Sequence, residues 1–527
     1  MKMKMILMSM LAIAALTSCS KSDSDNDPPE TNEADVAYLS IKIATQNTSA
    51  RSSGEESGTN ESDLKNLYLL FFDKAENIVG IPGTTDYLVK IPNASSSPSA
   101  VKVSAAATKL LVIANPGDKL EGMLNDINVT MTFSTVNTAI KGAAREEITD
   151  VVLPIAKGFT MINSGDETGK SAGDKISDPL IDISGKIQKV TKDVDDDEAK
   201  EAAEKTGNRV QVKIERLASK LELSLKGSIE VKPDGATFVF GNWTLDAVNS
   251  TFYPFAEKTL LSVTHSSGGS YTSNFYTVDP NYTNDAGVVN ATVNPGTYAP
   301  VLVSPYTWMA AADKTYCIEN TMSAAEQKFE NSTRLVIKGT YYPPGRASGG
   351  DWFNFAGSNF TDFAALKAAY NAVDVGPNLK AACEKMYTKI KEYADAHSEV
   401  TLTGTSFATL LETDLSQIPN GGEVIKDGKN PVIRWYQNGL CYYYYEIRHD
   451  NETTQEMAFA KYGVVRNNWY KLTLGSVKGP GTPWYPDIDN PGPGDPDPKD
   501  PIDGTVGYIG ITVEVAPWIV WENEIGI

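Results

Sequence analysis

Two residues of this 527-residue chain stand where their own chemistry would matter. Cys19 closes the run Leu16-Thr17-Ser18-Cys19, behind Lys2, Lys4 and an apolar stretch through Ile6, Leu7, Leu11 and Ile13. Basic residues first, small residues last and a cysteine at the end are the pattern of a bacterial signal peptide over 1–18 closing on a lipobox, with Cys19 the thiol to be acylated. Arg51 lies in a Gly- and Ser-rich polar stretch, 47–60, that lacks apolar periodicity and reads as an exposed loop. It is the first arginine of the chain and the next is Arg145, so the loop offers an arginine-specific protease one accessible bond, Arg51–Ser52. The plainer alternative is a solvated surface arginine.

Other reactive residue types do not assemble into a site. His265, His397 and His449 sit in unrelated contexts, and no G-x-S-x-G elbow, H-E-x-x-H helix, phosphate-binding glycine loop or C-x-x-C pair occurs. Carboxylates are abundant, but nothing fixes the spacing that glycoside hydrolysis requires. The run Asp193-Val194-Asp195-Asp196-Asp197-Glu198 lacks the glycine and terminal glutamate of a calcium loop at their proper offsets. Neither catalysis, nor a cofactor, nor a metal site is therefore expected. Beyond Cys19 only Cys317, Cys383 and Cys441 remain, too scattered for a disulfide framework or a zinc site; they read as core thiols, with one disulfide as the alternative. Tyr442 to Tyr445 could stack on sugars, but strand alternation would turn two of the four inward, and core packing is the expectation.

Charge narrows the partners. The formal net charge is −20, more negative still once Lys2 and Lys4 leave, which argues against nucleic acid and for an acidic exterior. Behind Cys19 a polar, acidic stretch, 19–35, reads as a flexible tether. No later segment has the length and apolarity of a membrane span, and the tail carries Glu514 and Pro517.

The elements that would position Arg51 are strands. Val36 to Ile43 alternates with Leu39, Ile41 and Ile43 on one face, and Val506 to Val515 alternates with Ile509, Ile511, Val513 and Val515 on one face. Aligned, Tyr38 falls on Tyr508, Leu39 on Ile509, Ile41 on Ile511 and Ile43 on Val513, so the two strands could fill the same groove. Between them lie short apolar runs bounded by turn residues, such as Leu67 to Phe72 and Lys109 to Asn115, at the irregular spacing of a β-sandwich. Val210 to Leu225 reads as one long strand or two with a bend, close to a domain boundary. Phe363 to His397 has helical spacing broken at Gly376-Pro377, which predicts two helices inserted in a β-rich second half. The Pro-, Gly- and Asp-rich segment 487–505 predicts an extended linker that cannot pair in a central sheet and leaves the tail free to depart from its own domain.

The lipobox at Cys19, the strand before the Arg51 loop, the strand Val212-Lys213-Ile214-Glu215-Arg216-Leu217-Ala218-Ser219-Lys220 and the run Tyr462-Gly463-Val464-Val465-Arg466-Asn467-Asn468-Trp469-Tyr470 together resemble the fimbrillins of type V pili, most nearly the major-subunit type of the short fimbriae. The resemblance implies an all-β chain with two transthyretin-like β-sandwich domains, here 52–222 and 223–486, with the helical insert 363–397 in the second. It implies export as an outer-membrane lipoprotein and cleavage after Arg51 by an arginine-specific surface protease. The segment 36–51, with Tyr38, Leu39, Ile41 and Ile43, would then be lost. The tail 506–527, with Tyr508, Ile509, Ile511, Val513 and Val515, would fill the groove of the next subunit, head to tail, in a filament that supports adhesion and includes anchor and tip subunits. The rival reading is a surface glycan-binding lipoprotein, which would share the lipobox and the sandwiches but need neither cleavage nor a detachable tail.

Overall fold

The structure is a computed structural model that describes residues 36–45, 61, 63–139, 157–166, 169–249, 252–264, 270–280, 282, 298–299, 308–427, 431–450, 453–487, 491–493, 495–497, 499–504 and 508–517. Cys19, Arg51 and Ser52 lie outside the described residues.

The N-terminal half is organised on a seven-stranded sheet. Its order is Ile41–Thr45, Val210–Arg216, Met161–Asn163, Lys109–Ala114, Asn66–Phe72 and Leu88–Pro92, with Ile181–Asp182 beside Lys109–Ala114. One face packs against a three-stranded sheet of Gln188–Lys189, Val36–Leu39 and Val101–Ser104. The other face packs against the helices Asp118–Asn125 and Phe133–Ala139 through Leu120, Leu124, Phe133 and Val136. Cover on both faces explains why Leu67 to Phe72 is buried without alternation, since a strand with no solvent side has no polar position to fill.

The C-terminal half is a second sandwich. A four-stranded sheet, Lys314–Ile318, Ala218–Val231, Asn468–Val477 and Ile509–Pro517, faces the three-stranded sheet Thr237–Asp246, Arg334–Tyr342 and Leu440–Glu446. Leu221, Leu223, Tyr470 and Leu472 from one sheet meet Trp243, Leu335, Ile337 and Tyr443 from the other in a single apolar core. The chain passes between the halves at Leu217, where the Val210–Arg216 strand ends and Ala218–Val231 begins. Of the two readings of this stretch, two strands with a bend is the observed one, and the bend moves the backbone from one sandwich to the other.

The helical insert forms as its sequence predicts. Phe363–Tyr370 starts at Asp362, whose side chain accepts from the Ala365 amide, and Pro377–Ala396 starts with Gly376 as its cap and proline in its first turn. The insert is larger than 363–397, because Phe407, Leu410, Leu415, Ile418 and Ile425 share its core, together with Phe353 and Trp435 beneath it. The acidic run ends as a helix start. Asp195 caps Asp196–Glu204 and Glu198 returns the bond to the Asp195 amide, which places the negative charge at the positive end of the helix.

Cys317, Cys383 and Cys441 are buried thiols, none of them in a disulfide. Tyr443 is buried in the core and Tyr445 packs against it, whereas Tyr442 and Tyr444 turn to the other face, toward Trp308 and Phe329. The core reading of the tyrosine run holds for two of the four, as strand alternation requires.

Candidate functional site: the two ends of the chain

The first strand is expected to run unbroken from Val36 to Ile43, and the structure corrects this. Val36–Leu39 is the central strand of the small sheet, antiparallel to both neighbours, with Tyr38 opposite Lys102 and Gln188. At Ser40 the chain crosses the sandwich, and Ile41–Thr45 continues as the outer strand of the large sheet, parallel to Val210–Arg216. The Ser40 carbonyl accepts from the Val210 amide at 2.9 Å and holds the crossing. Alternation survives the break because both sheets face the same core. Leu39, Ile41 and Ile43 are 0, 2 and 6% exposed, so the predicted inward face is the observed one. Tyr38 is half-buried; burial first, then the charge and hydrogen bond of Asp196, raise its hydroxyl above the usual range. Three aliphatic side chains buried at about 1.5–3 kcal/mol each make this segment an integral part of the N-terminal core.

Among the described residues, the tail strand Ile509–Pro517 has one neighbouring strand. It lies antiparallel on Asn468–Val477, with Ile509 opposite Val477, Ile511 opposite Leu474 and Val513 opposite Leu472; a bulge at Gly475 absorbs one residue of the partner. Ile509 and Val513 are each 8% exposed and Ile511 is half-buried against the core, while Thr512 and Tyr508 are exposed. From Ile509 to Val513 the alternation is as predicted, the Val515 side chain lying outside what is described, but the strand closes an edge of its own sandwich. It is docked, and its departure would bare one side of that core.

The segment before the tail also differs from expectation. Its described residues pair in no central sheet, yet they are strapped to the body and do not hang free. The Trp484 indole N–H donates to Asp495 Oδ2 at 2.8 Å over Gly492, whose missing Cβ leaves room for the ring. Arg434 donates to the Pro493 carbonyl at 2.7 Å. Farther on, the Phe329 amide donates to the Asp500 carbonyl and the Ile502 amide to the Gln327 carbonyl, with Ile502 itself buried. Asp503 ends the strap, accepting from Tyr462 Oη at 2.6 Å, Lys461 Nζ at 2.9 Å and the Met457 amide. Burial pushes the Asp503 carboxyl up, but these hydrogen bonds outweigh it and hold the group below its usual range. A carboxylate held low contributes its stability above the ordinary pKa of about 3.9 and loses it only as the pH falls through the lower folded value. At neutral pH the clamp is shut.

A further set of residues was invisible in the sequence. Glu61, the first described residue after the Arg51 loop, puts its buried carboxylate between the two halves. Lys220 Nζ lies 2.9 Å from Glu61 Oε2, Tyr316 Oη donates to Oε1, and Arg216 Nε donates to the Glu61 carbonyl at 2.9 Å. Lys220 Nζ also lies 3.9 Å from the Trp469 ring centre. Nearby, Arg466 reaches Glu319 and the carbonyls of Tyr253 and Pro254, and Asn467 accepts from the Arg216 amide. Arg216, Lys220, Arg466, Asn467 and Trp469 are among the motif residues noted above, and their contacts are joints within the fold. The partners of Glu61 lie far away in sequence, so no local pattern could have announced them.

The chain is thus a β-sandwich protein with a deeply buried first strand, an edge-strand tail of matching pattern and a strap between body and tail. The family model "Major fimbrial subunit protein (FimA)" matches residues 37–216, and "Major fimbrial subunit protein type IV, Fimbrillin, C-terminal" matches 434–524. Together they cover just over half of the chain, at its two ends. Similar solved structures include a fimbrilin of Porphyromonas gingivalis W83, 14% identical over 92% of this chain and 98% of that one with a TM-score of 0.37. The tip fimbrial protein Mfa3 of Porphyromonas gingivalis is 11% identical over 92% of this chain and 100% of that one, TM-score 0.34. A fimbrial protein of Bacteroides vulgatus is 10% identical over 92% and 99%, TM-score 0.26. No curated protein sequence matches the chain. The chain belongs to the fimbrillins of type V pili and is a fimbrial structural subunit.

Proposed function

We propose that the chain is the repeating stalk subunit of its fimbria: exported as a lipoprotein acylated at Cys19, cut after Arg51, and polymerised when its tail enters the groove that the first strand of another copy has vacated. The observation that carries this reading is a shared inward pattern in two segments that the fold holds differently. Leu39, on a strand flanked on both sides, and Ile41 and Ile43, on the outer strand of the facing sheet, are buried in one core, and the tail offers Ile509, Ile511 and Val513 at the same spacing from an open edge. In that alignment Gly510 falls where Ser40 turns the chain between sheets, and glycine is the residue best able to follow such a crossing. A heterologous, head-to-tail contact of this kind extends without closing. Possession of both a cleavable loop and a tail favours a stalk position over the anchor or the tip. The arginine-specific protease, the outer membrane before cleavage, and anchor and tip subunits are the partners the reading requires; the role is structural, with adhesion as its outcome.

Arg51→Ala expressed in a fimbriated host tests it. The expected product is full-length protein that stays lipid-anchored and monomeric, against wild-type protein whose N-terminus is Ser52. Filaments of normal length from the variant would reject the processing step.

A further inference from the structure

The strap and the tail have separate attachments. Asp503 is held by Tyr462, Lys461 and the Met457 amide, and Ile502 by Gln327, none of which belongs to the tail strand or to the strand that carries it. The tail is held by Asn468–Val477 and by the bond from the Lys478 amide to the Tyr508 carbonyl at 2.7 Å. Losing the second set of contacts leaves the first intact.

We infer that Asp503 is the positioning residue of assembly: the strap up to Asp503 stays on its own subunit, and only the chain from Tyr508 onward passes to the second copy. This rests on the strand-exchange reading and adds a geometric limit to it. Five residue steps separate Asp503 from Tyr508, so even fully extended they reach about 18 Å at ~3.6 Å per residue. The receiving groove of the second copy must open within that distance of Asp503. The face around Met457, Lys461 and Tyr462 is then the face turned to the neighbour, and a short, fixed reach would give every joint the same spacing. Had the whole segment from Gly479 been free, the reach would be several times longer and the joint loosely set.

Two cysteine pairs test this on the full chain with its processing intact. Lys328 and Pro501 are bridge partners flanked by the Phe329–Asp500 and Ile502–Gln327 hydrogen bonds, which makes them a close, non-hydrogen-bonded pair within disulfide range. Oxidised Lys328→Cys/Pro501→Cys locks the strap, and polymer yield should stay within about twofold of the reduced control. A tenfold loss on oxidation, restored by reduction, would overturn the inference. Thr473→Cys/Thr512→Cys locks the tail to its own body through directly paired positions. Oxidation of this pair should abolish polymer; normal yield would overturn strand exchange itself, and the inference with it. If both locks abolish polymer, the inference falls and strand exchange stands. Should the strap disulfide not form, hydrogen exchange at the Ile502 amide decides: protection equal in monomer and filament supports a strap that stays, and protection lost on assembly rejects it.

Discussion

The first strand and the tail share a sequence pattern and differ in how the fold holds them. The first strand is an inner part of the N-terminal sandwich: one half has neighbours on both sides, the other crosses to the facing sheet, and its aliphatic side chains are all but fully buried. The tail has a single ladder, and its middle side chain, Ile511, is only partly covered. A strand with two sheets around it cannot be peeled away, because every hydrogen bond and every side chain must be given up together. An edge strand can leave one end first. Under the proposed assembly, this contrast is the physical reason for a cut at one end of the chain and none at the other.

The largest expected effect lies in the buried strand. Ile41→Asp in the uncut precursor would place a carboxylate without a partner between two sheets and should cost about 4 kcal/mol or more of unfolding stability, read from urea midpoints. If the loss were no larger than for the tail, the two strands would be held alike and the contrast would collapse. Next comes removal of residues 508–527 from the monomer. Uncovering Ile509 and Val513 should cost about 2 kcal/mol, the gain in chain freedom offsetting part of the lost burial. Complete unfolding of the C-terminal half would mean that the tail is as integral as the first strand. The smallest and sharpest pair is Ile511→Asp against Thr512→Asp. In the monomer the first should cost about 1 kcal/mol and the second less than about 0.5, since position 511 faces the core and 512 faces water. In assembly they should separate fully: under the proposed exchange 511 would take the place of the buried Ile41, so Ile511→Asp should form no polymer and Thr512→Asp should polymerise. Equal behaviour in polymer yield would break the alignment of the two strands.

Much of this was legible in the residues. Alternation gave the inward faces of the first strand and of the tail from Ile509 to Val513, and Gly376-Pro377 gave the break between two helices. The crossing at Ser40 escaped because alternation continues through it: a strand that changes sheets around one core keeps its inward positions in step. The strap escaped for another reason. Its composition correctly excludes a central strand, but composition says nothing about the tryptophan, the arginine and the tyrosine that catch isolated carbonyls and carboxylates along it. The late turns of the insert, Glu412–Leu415 and Gly421–Val424, are too short to show a helical period.

The position of Glu61 bears on the mechanics of a filament. Its carboxylate ties a residue just ahead of the N-terminal sheet to Lys220 and Tyr316 of the C-terminal one, in a setting shielded from water, where removing one partner of an ion pair typically costs about 3–5 kcal/mol. Because Glu61 follows Arg51 in sequence, cleavage at that bond would leave this tie in place. Each subunit in the proposed filament would then behave as one stiff unit, and the bending of the fibre under flow would be concentrated where one unit meets the next.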